Sequence, residues 1–186
     1  MSVQIVGSPA SAGDTAARRC EYYRLQCGLP VRLVEDNRIV LRLGGALGAV
    51  TMPAELGDDV GRSLLLRSAA APAIVHPGGK RWTFLTGPGS ATLDHVQALV
   101  PLGLSVVGDG AWVVLPSPET EALGMWVWAR GSAWTEPPAQ ATVLATACAL
   151  AVQKQGRRGP EDLPHLVRSL PRPETTITLI SDNQDA

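Results

Sequence analysis

Three histidines, one adjacent aspartate pair, three cysteines and one glycine-rich turn carry whatever chemistry this sequence performs beyond packing. Nucleophilic catalysis needs a nucleophile beside a base. His76 falls at a strand end, His95 on a helix and His165 in the C-terminal tail. No spacing ties any of them to a serine or cysteine motif, and there is no G-x-S-x-G elbow. They read as surface or capping histidines. Metal-assisted phosphoryl transfer needs clustered carboxylates. Asp58-Asp59 opens a helix, where the helix dipole favours acids without a metal, and Glu35-Asp36 lies in a hairpin turn, an ordinary place for aspartate. Cys20, Cys27 and Cys148 are odd in number, lack framework spacing and have no further zinc ligands nearby. The expectation is a chain that is not an enzyme and takes no metal or cofactor.

Three features could still meet a ligand or partner. Gly87-Pro88-Gly89-Ser90 joins a strand to a helix start, where free N–H groups bind anions, so Gly87, Gly89 and Ser90 form a candidate anion site. Pro88 removes one donor, and neither a P-loop lysine nor a full glycine fingerprint accompanies it. Trp82, Trp112, Trp126, Trp128 and Trp134 fall on or beside strands in a chain with one phenylalanine. An aromatic sheet can stack unpaired bases, but the simpler role for these rings is the core. The last strong helix, Pro138 to about Gln155, is apolar nearly all round, so it is central to the core or covered by a partner. Val143, Leu144 and Leu150 are its candidate partner surface.

The elements that must position these residues follow from periodicity. Ala16, Cys20, Tyr23 and Cys27 make one stripe of a helix over 14–27, with Asp14 at its N-cap and Gly28 and Pro30 beyond its end. Val31–Glu35 and Arg38–Leu43 flank the turn signal Asp36-Asn37 and predict a hairpin. Leu47–Met52 is a third strand. A helix then starts near Pro53 and buries Leu56, Val60 and Leu64. Ala73–His76 and Arg81–Thr86 are strands around Pro77–Lys80. A helix capped by Ser90 covers 91–100. Leu104–Val107 and Ala111–Leu115 flank Gly108-Asp109-Gly110, a further hairpin signal, and Met125–Ala129 is another strand. The pattern is α+β: a largely antiparallel sheet built from hairpins, with helices packed on its faces.

Hydrophobic residues at 45% and charged residues at 18% fit one globular domain and not a disordered chain. That domain spans 14–156, after a flexible N-terminus of 1–13. Residues 157–186 read as linker and tail, with a short strand at 175–181. The net charge of −1 lacks the basic excess that phosphate binding favours, which disfavours nucleic acid. Arginine nonetheless far outnumbers lysine, which occurs only at Lys80 and Lys154. Residues 1–13 lack a charged n-region and a long apolar run. The stretch from Ala141 to Val152 is too short to span a bilayer. A soluble, cytoplasmic protein with no membrane partner is expected.

Ala49–Gly57 (AVTMPAELG), Arg81–Gly87 (RWTFLTG) and Leu104–Pro118 (LSVVGDGAWVVLPSP) resemble the N-terminal primase–polymerase domain common in actinobacterial replication proteins. The first helix, with Cys20-Glu21-Tyr22-Tyr23-Arg24, resembles a group of small actinobacterial proteins sharing this layout. The likeness spans about residues 14–150. It implies a metal-binding acidic pair at the end of an early strand and a histidine ahead of a strand aromatic. The matching positions here are Val50-Thr51-Met52-Pro53 and the surroundings of Trp82, which hold neither a carboxylate nor a histidine. Asp109 matches an acidic position in the hairpin, a relic of the acidic site, and one acid cannot assemble a two-metal centre. The resemblance therefore implies a degenerate, non-catalytic relative. Two functions remain: a binding or regulatory domain acting through protein–protein contacts, with an unknown protein partner or a second copy, or a module that still holds nucleic acid through arginine and tryptophan. For the first, the contact surface is the last helix or 175–181.

Overall fold

A computed structural model describes residues 14–89, 99–129 and 136–157. Within them the chain forms α1 (Ala16–Leu25), β1 (Val31–Leu33), β2 (Ile39–Arg42), β3 (Gly48–Pro53), α2 (Ala54–Leu66), β4 (Ala73–Val75) and β5 (Arg81–Thr86). It continues with β6 (Ser105–Val107), β7 (Trp112–Leu115), the short α3 (Pro118–Ala122), β8 (Val127–Trp128) and α4 (Gln140–Arg157). The fold is α+β, and every pairing among the described strands is antiparallel.

The strands divide between two sheets, of order β1-β2-β7 and β6-β3-β5-β4-β8. Alternation along β3 explains how they stack. Ala49 joins a core with Leu85, Ile74 and Trp128 of the same sheet, the three-stranded sheet's Val31, Ile39, Leu41, Val113 and Leu115, and Cys20 and Tyr23 of α1. Val50 and Met52 point the other way, into a second core with Phe84, the α2 residues Leu56, Val60 and Leu64, and Val143, Ala147 and Ala151 of α4. The five-stranded sheet is thus the middle layer. Burying one such side chain fully stabilises the fold by about 1.5–3 kcal/mol, and Phe84, Ile74, Met52 and Leu85 are all fully buried.

Several expectations need correction. The single sheet is two, and Gly108-Asp109-Gly110 does not turn a hairpin. β6 pairs with β3 and β7 with β2, so this turn carries the chain from one layer to the other. Gly110, at φ +77°, donates its N–H to the Leu43 carbonyl at 3.1 Å, stitching the corner to the end of β2. A hairpin and an inter-sheet corner need the same left-handed glycine, and no local signal separates them. The β1–β2 hairpin does form, with Asp36 and Asn37 both at positive φ.

Thr15, not Asp14, caps α1, its side chain accepting from the Arg18 N–H at 3.3 Å. Asp14 is instead held by Arg19. Pro53 is the cap residue of α2 and not its first helical residue. The Met125–Ala129 strand shrinks to Val127–Trp128. α4 runs through Gly156, a residue that costs about 1 kcal/mol in a helix without breaking it. α3 was not anticipated, although Ser117-Pro118-Glu119-Thr120 carries its signature: Ser117 and Thr120 form a reciprocal capping box with proline at the first helical position. The segments at 1–13 and 175–181, and nearly all of the helix at 91–100, lie outside the described residues.

Candidate functional site

His76, just past β4, has its Nε2 2.7 Å from Thr83 Oγ1, which lies 2.8 Å from Thr51 Oγ1. A hydroxyl beside an imidazole has the composition of a nucleophile and its base. Thr83, however, is 1% exposed, so no substrate reaches its oxygen in this arrangement. Burial, with the nearby Arg81 charge second, also holds the imidazole below its ordinary pKa. The chain His76–Thr83–Thr51 satisfies buried polar groups across β4, β5 and β3. His95 and His165 lie outside the described residues.

Asp58 and Asp59 are ion-pair partners: Arg62 reaches them at 2.8 and 2.7 Å, and Lys154 Nζ lies 2.6 Å from Asp59, tying α4 to α2. The Lys154 hydrogen bond is the main reason that the Asp59 carboxyl is held below its usual range. Among the described residues no group of three or more His, Cys, Asp or Glu side chains is placed to hold a metal ion.

The glycine loop after β5 is clamped by the chain itself. Gly87 donates its N–H to the Pro138 carbonyl at 2.8 Å, so that donor is not free for an anion. A Cβ on Gly89 would run into the Gln140 side chain, and Gln140 is buried. Gly89 lets the start of α4 approach closely. Ser90 lies outside the described residues.

Asp109 is exposed on the inter-sheet corner, its Oδ1 near Gly44. The register pairs Ala49 with Val107 and Thr51 with Ser105, so Asp109 sits beyond the Gly48 end of β3. Thr51 and Met52 lie toward the other end, where Met52 faces Trp82. The relic acid and the positions matched to metal ligands are not brought together.

Val143 is fully buried, and Leu144 and Leu150 are half-buried against the second core. One face of α4 is therefore covered inside the chain and Val143 offers no surface to a partner, while Ala145, Ala149 and Val152 of the same helix stay exposed. Gln140 and Thr146 are buried on the same helix, and Thr146 returns its hydroxyl to the Thr142 carbonyl at 2.8 Å.

A buried polar network fastens α1 to the rest. The Tyr23 hydroxyl donates to the Pro116 carbonyl at 3.0 Å and accepts from Trp128 Nε1 at 2.9 Å. Burial is the leading reason that the Tyr23 phenol is pushed up to about 12. Arg19 binds Asp14 and, at 3.4 Å, Glu121 of α3. Burial opposes the Arg19 charge, and its contacts with Asp14, Tyr23 and Glu121 outweigh that, so its pKa is raised.

The outer face of the three-stranded sheet is of another kind. Alternation turns Arg32 of β1, Val40 and Arg42 of β2, and Trp112 and Val114 of β7 away from the core. Arg32 pairs across Val40, Val40 across Val114, and Arg42 across Trp112. The Arg32 guanidinium reaches over β2 to lie 4.1 Å from the centre of the Trp112 ring, a cation–π contact of about 0.5–1 kcal/mol at an exposed site. Val40 lies buried between them, while Trp112 remains 45% exposed and Arg32 and Arg42 are exposed. Among the described residues neither of these guanidiniums forms an ion pair, whereas Arg38 at the hairpin end meets Asp36 at 3.5 Å. Residue types alone did not mark this cluster, because Arg32 and Trp112 come together only through the pairing of β1, β2 and β7.

Trp82 rests against Gly57 and Gly61 of α2, Trp126 is half-buried and Trp128 buried, so Trp112 is the most open of the described tryptophans. No helix among the described residues is long and apolar enough to cross a membrane. No protein-family model, curated protein or solved structure matches this chain.

Proposed function

We propose that this chain is a cytoplasmic, non-catalytic binding module that works through protein–protein contacts, and that the outer face of the three-stranded sheet is its contact surface. The observation that carries the reading is the open Trp112 ring with Arg32 stacked on it and Arg42 opposite, which has no ion-pair partner among the described residues. Tryptophan and arginine dominate binding hot spots because each offers a large flat contact with directed polar atoms. The sealed Thr83 hydroxyl supports a role outside catalysis. Three free cysteines fit a reducing compartment.

A photo-crosslinking amino acid in place of Trp112 tests the reading inside living cells, with the same label at the exposed Leu66 of α2 as control. A discrete protein adduct from the Trp112 position alone is expected. Adducts at neither position, or equal ones at both, would remove the reading.

The second reading is the nucleic-acid-binding, primase–polymerase-like module. It is favoured by the same ring, since an exposed tryptophan between arginines can stack a base while the guanidiniums meet phosphates. A nucleic-acid adduct from the Trp112 position would select it.

A further inference from the structure

The geometry points to an acidic segment of a partner protein, carrying apolar residues between its carboxylates, as the occupant of the outer sheet face. This rests on the protein-binding reading above and adds the chemistry of the partner.

Charge is the first argument. Arg32 and Arg42 are the charged side chains that alternation directs outward from this sheet, Arg38 stands just before β2, and all three are basic. The chain as a whole carries −1, so the excess is local to the face and not a property of the protein. Arg38 is partly spent on Asp36, and Glu35 stands beside it at the hairpin tip. Among the described residues, the positive charge without an acidic partner is therefore concentrated at Arg32 and Arg42, around Trp112. A guanidinium offers a carboxylate two parallel N–H donors, a stronger contact than a neutral hydrogen bond.

The floor is the second argument. Val114 is half-buried beside the buried Val40, beneath the arginines, and one face of the Trp112 ring is already taken by Arg32. A sugar–phosphate backbone has nothing to set against that apolar floor, and a base would have to displace Arg32 or settle for the other ring face. A peptide that alternates acidic and apolar side chains satisfies both the floor and the charges.

Fluorescence anisotropy with the full chain and a short fluorescein-labelled peptide alternating glutamate and leucine tests the assignment. Parallel titrations use a lysine–leucine peptide and oligo(dT). The glutamate peptide is expected to bind at low salt and to weaken as salt rises, with no binding of the lysine peptide. Arg42→Glu together with Arg32→Glu should cost about tenfold or more in affinity, and Arg42→Gln a smaller loss in the same direction. Both arginines are exposed, and the milder variant guards against a charge reversal that disturbs folding. The inference is overturned if the glutamate peptide does not bind, if neither variant weakens it, if oligo(dT) binds more tightly, or if the chain self-associates through this face without peptide. A protein adduct at the Trp112 position together with failure of the peptide leaves the binding module standing and removes the acidic partner. Failure of both removes the module.

Discussion

On one face of the five-stranded sheet, Ala49, Ile74, Leu85 and Trp128 meet a second sheet and α1 across a core that also holds the Tyr23 hydroxyl. The Thr51–Thr83–His76 chain lies on that face, and the Arg19 ion pairs join the same helix to α3. On the other face Val50, Met52 and Phe84 meet α2 and α4, with Trp82 fitted over the glycines of α2. Both cores are largely apolar, and the first adds a buried polar network around Tyr23 and Arg19. Such a network requires each donor to meet one acceptor, so it fixes how α1 sits and loses sharply when a partner goes. Apolar packing responds to volume and fit, and its losses grade with the space left or overfilled. Substitutions on the two faces should therefore differ in kind as well as in size.

The largest effect belongs to Arg19. Arg19→Met leaves the Asp14 and Glu121 carboxylates, both mostly buried, without their cation. Breaking one partner out of such a set costs about 3–5 kcal/mol. Urea unfolding measures it, and pairing the change with Glu121→Gln should recover part of the loss. A loss no larger than that of an exposed ion pair would place the network at the surface and end the contrast between the faces.

Tyr23→Phe comes next. It keeps the ring in the core while removing the hydroxyl that serves Pro116 and Trp128. The Trp128 N–H is left buried without an acceptor, at a cost of about 1–3 kcal/mol. A companion change of Trp128 to Phe should be less than additive with it, since both remove the same bond. Full additivity would mean that the two side chains are not coupled.

On the apolar face, two glycines of one helix should respond with opposite sign. Alanine is favoured over glycine in a helix by about 1 kcal/mol. At Gly61 a Cβ would meet Trp82 at an ordinary 3.6 Å, so Gly61→Ala should stabilise the protein. At Gly57 it would lie 2.9 Å from the Trp82 Cβ and Cγ, atoms that cannot swing aside. Overpacking of that sort costs about 1–3 kcal/mol and outweighs the propensity gain. Thermal melts of the two variants check the signs. Stabilisation at both positions would show that the Trp82 seat is looser than the distances say.

Both helices of this contrast were legible from residue spacing. The stripe Ala16, Cys20, Tyr23 marks α1, and Leu56, Val60, Leu64 marks α2, because a helix face repeats within a few residues. The hairpin at Asp36-Asn37 was legible for the same reason: its turn chemistry is local. The division into two sheets was not, since Gly110 needs a positive φ whether the chain turns back or changes layer. The apolar α4 allowed either core or partner, and which elements cover Val143 is a tertiary fact. The same holds for the tryptophans. The four within the described residues sit on or near strands, and nothing local distinguishes Trp128, whose N–H finds Tyr23, from Trp112, which is left outside under Arg32.

The smallest expected effect is a pH dependence confined to the polar face. His76 is hydrogen-bonded to Thr83, and its pKa is lowered by burial first and by Arg81 second. A histidine whose folded-state pKa is depressed stays neutral in the native protein while the unfolded chain takes up a proton near its ordinary value of about 6.5. Its contribution is complete above that value. It declines as the pH falls below it and levels off beneath the folded-state pKa. His76→Gln can keep a hydrogen bond to Thr83 without titrating, so the difference in unfolding free energy between wild type and variant should narrow or reverse toward the acid side. Substitutions on the α2 and α4 face, such as Gly61→Ala, should shift the whole curve without changing its shape in that window. A wild-type curve that runs parallel to that of His76→Gln would mean that the imidazole is as solvated folded as unfolded, and that the Thr51–Thr83–His76 chain is not closed to water at its histidine end.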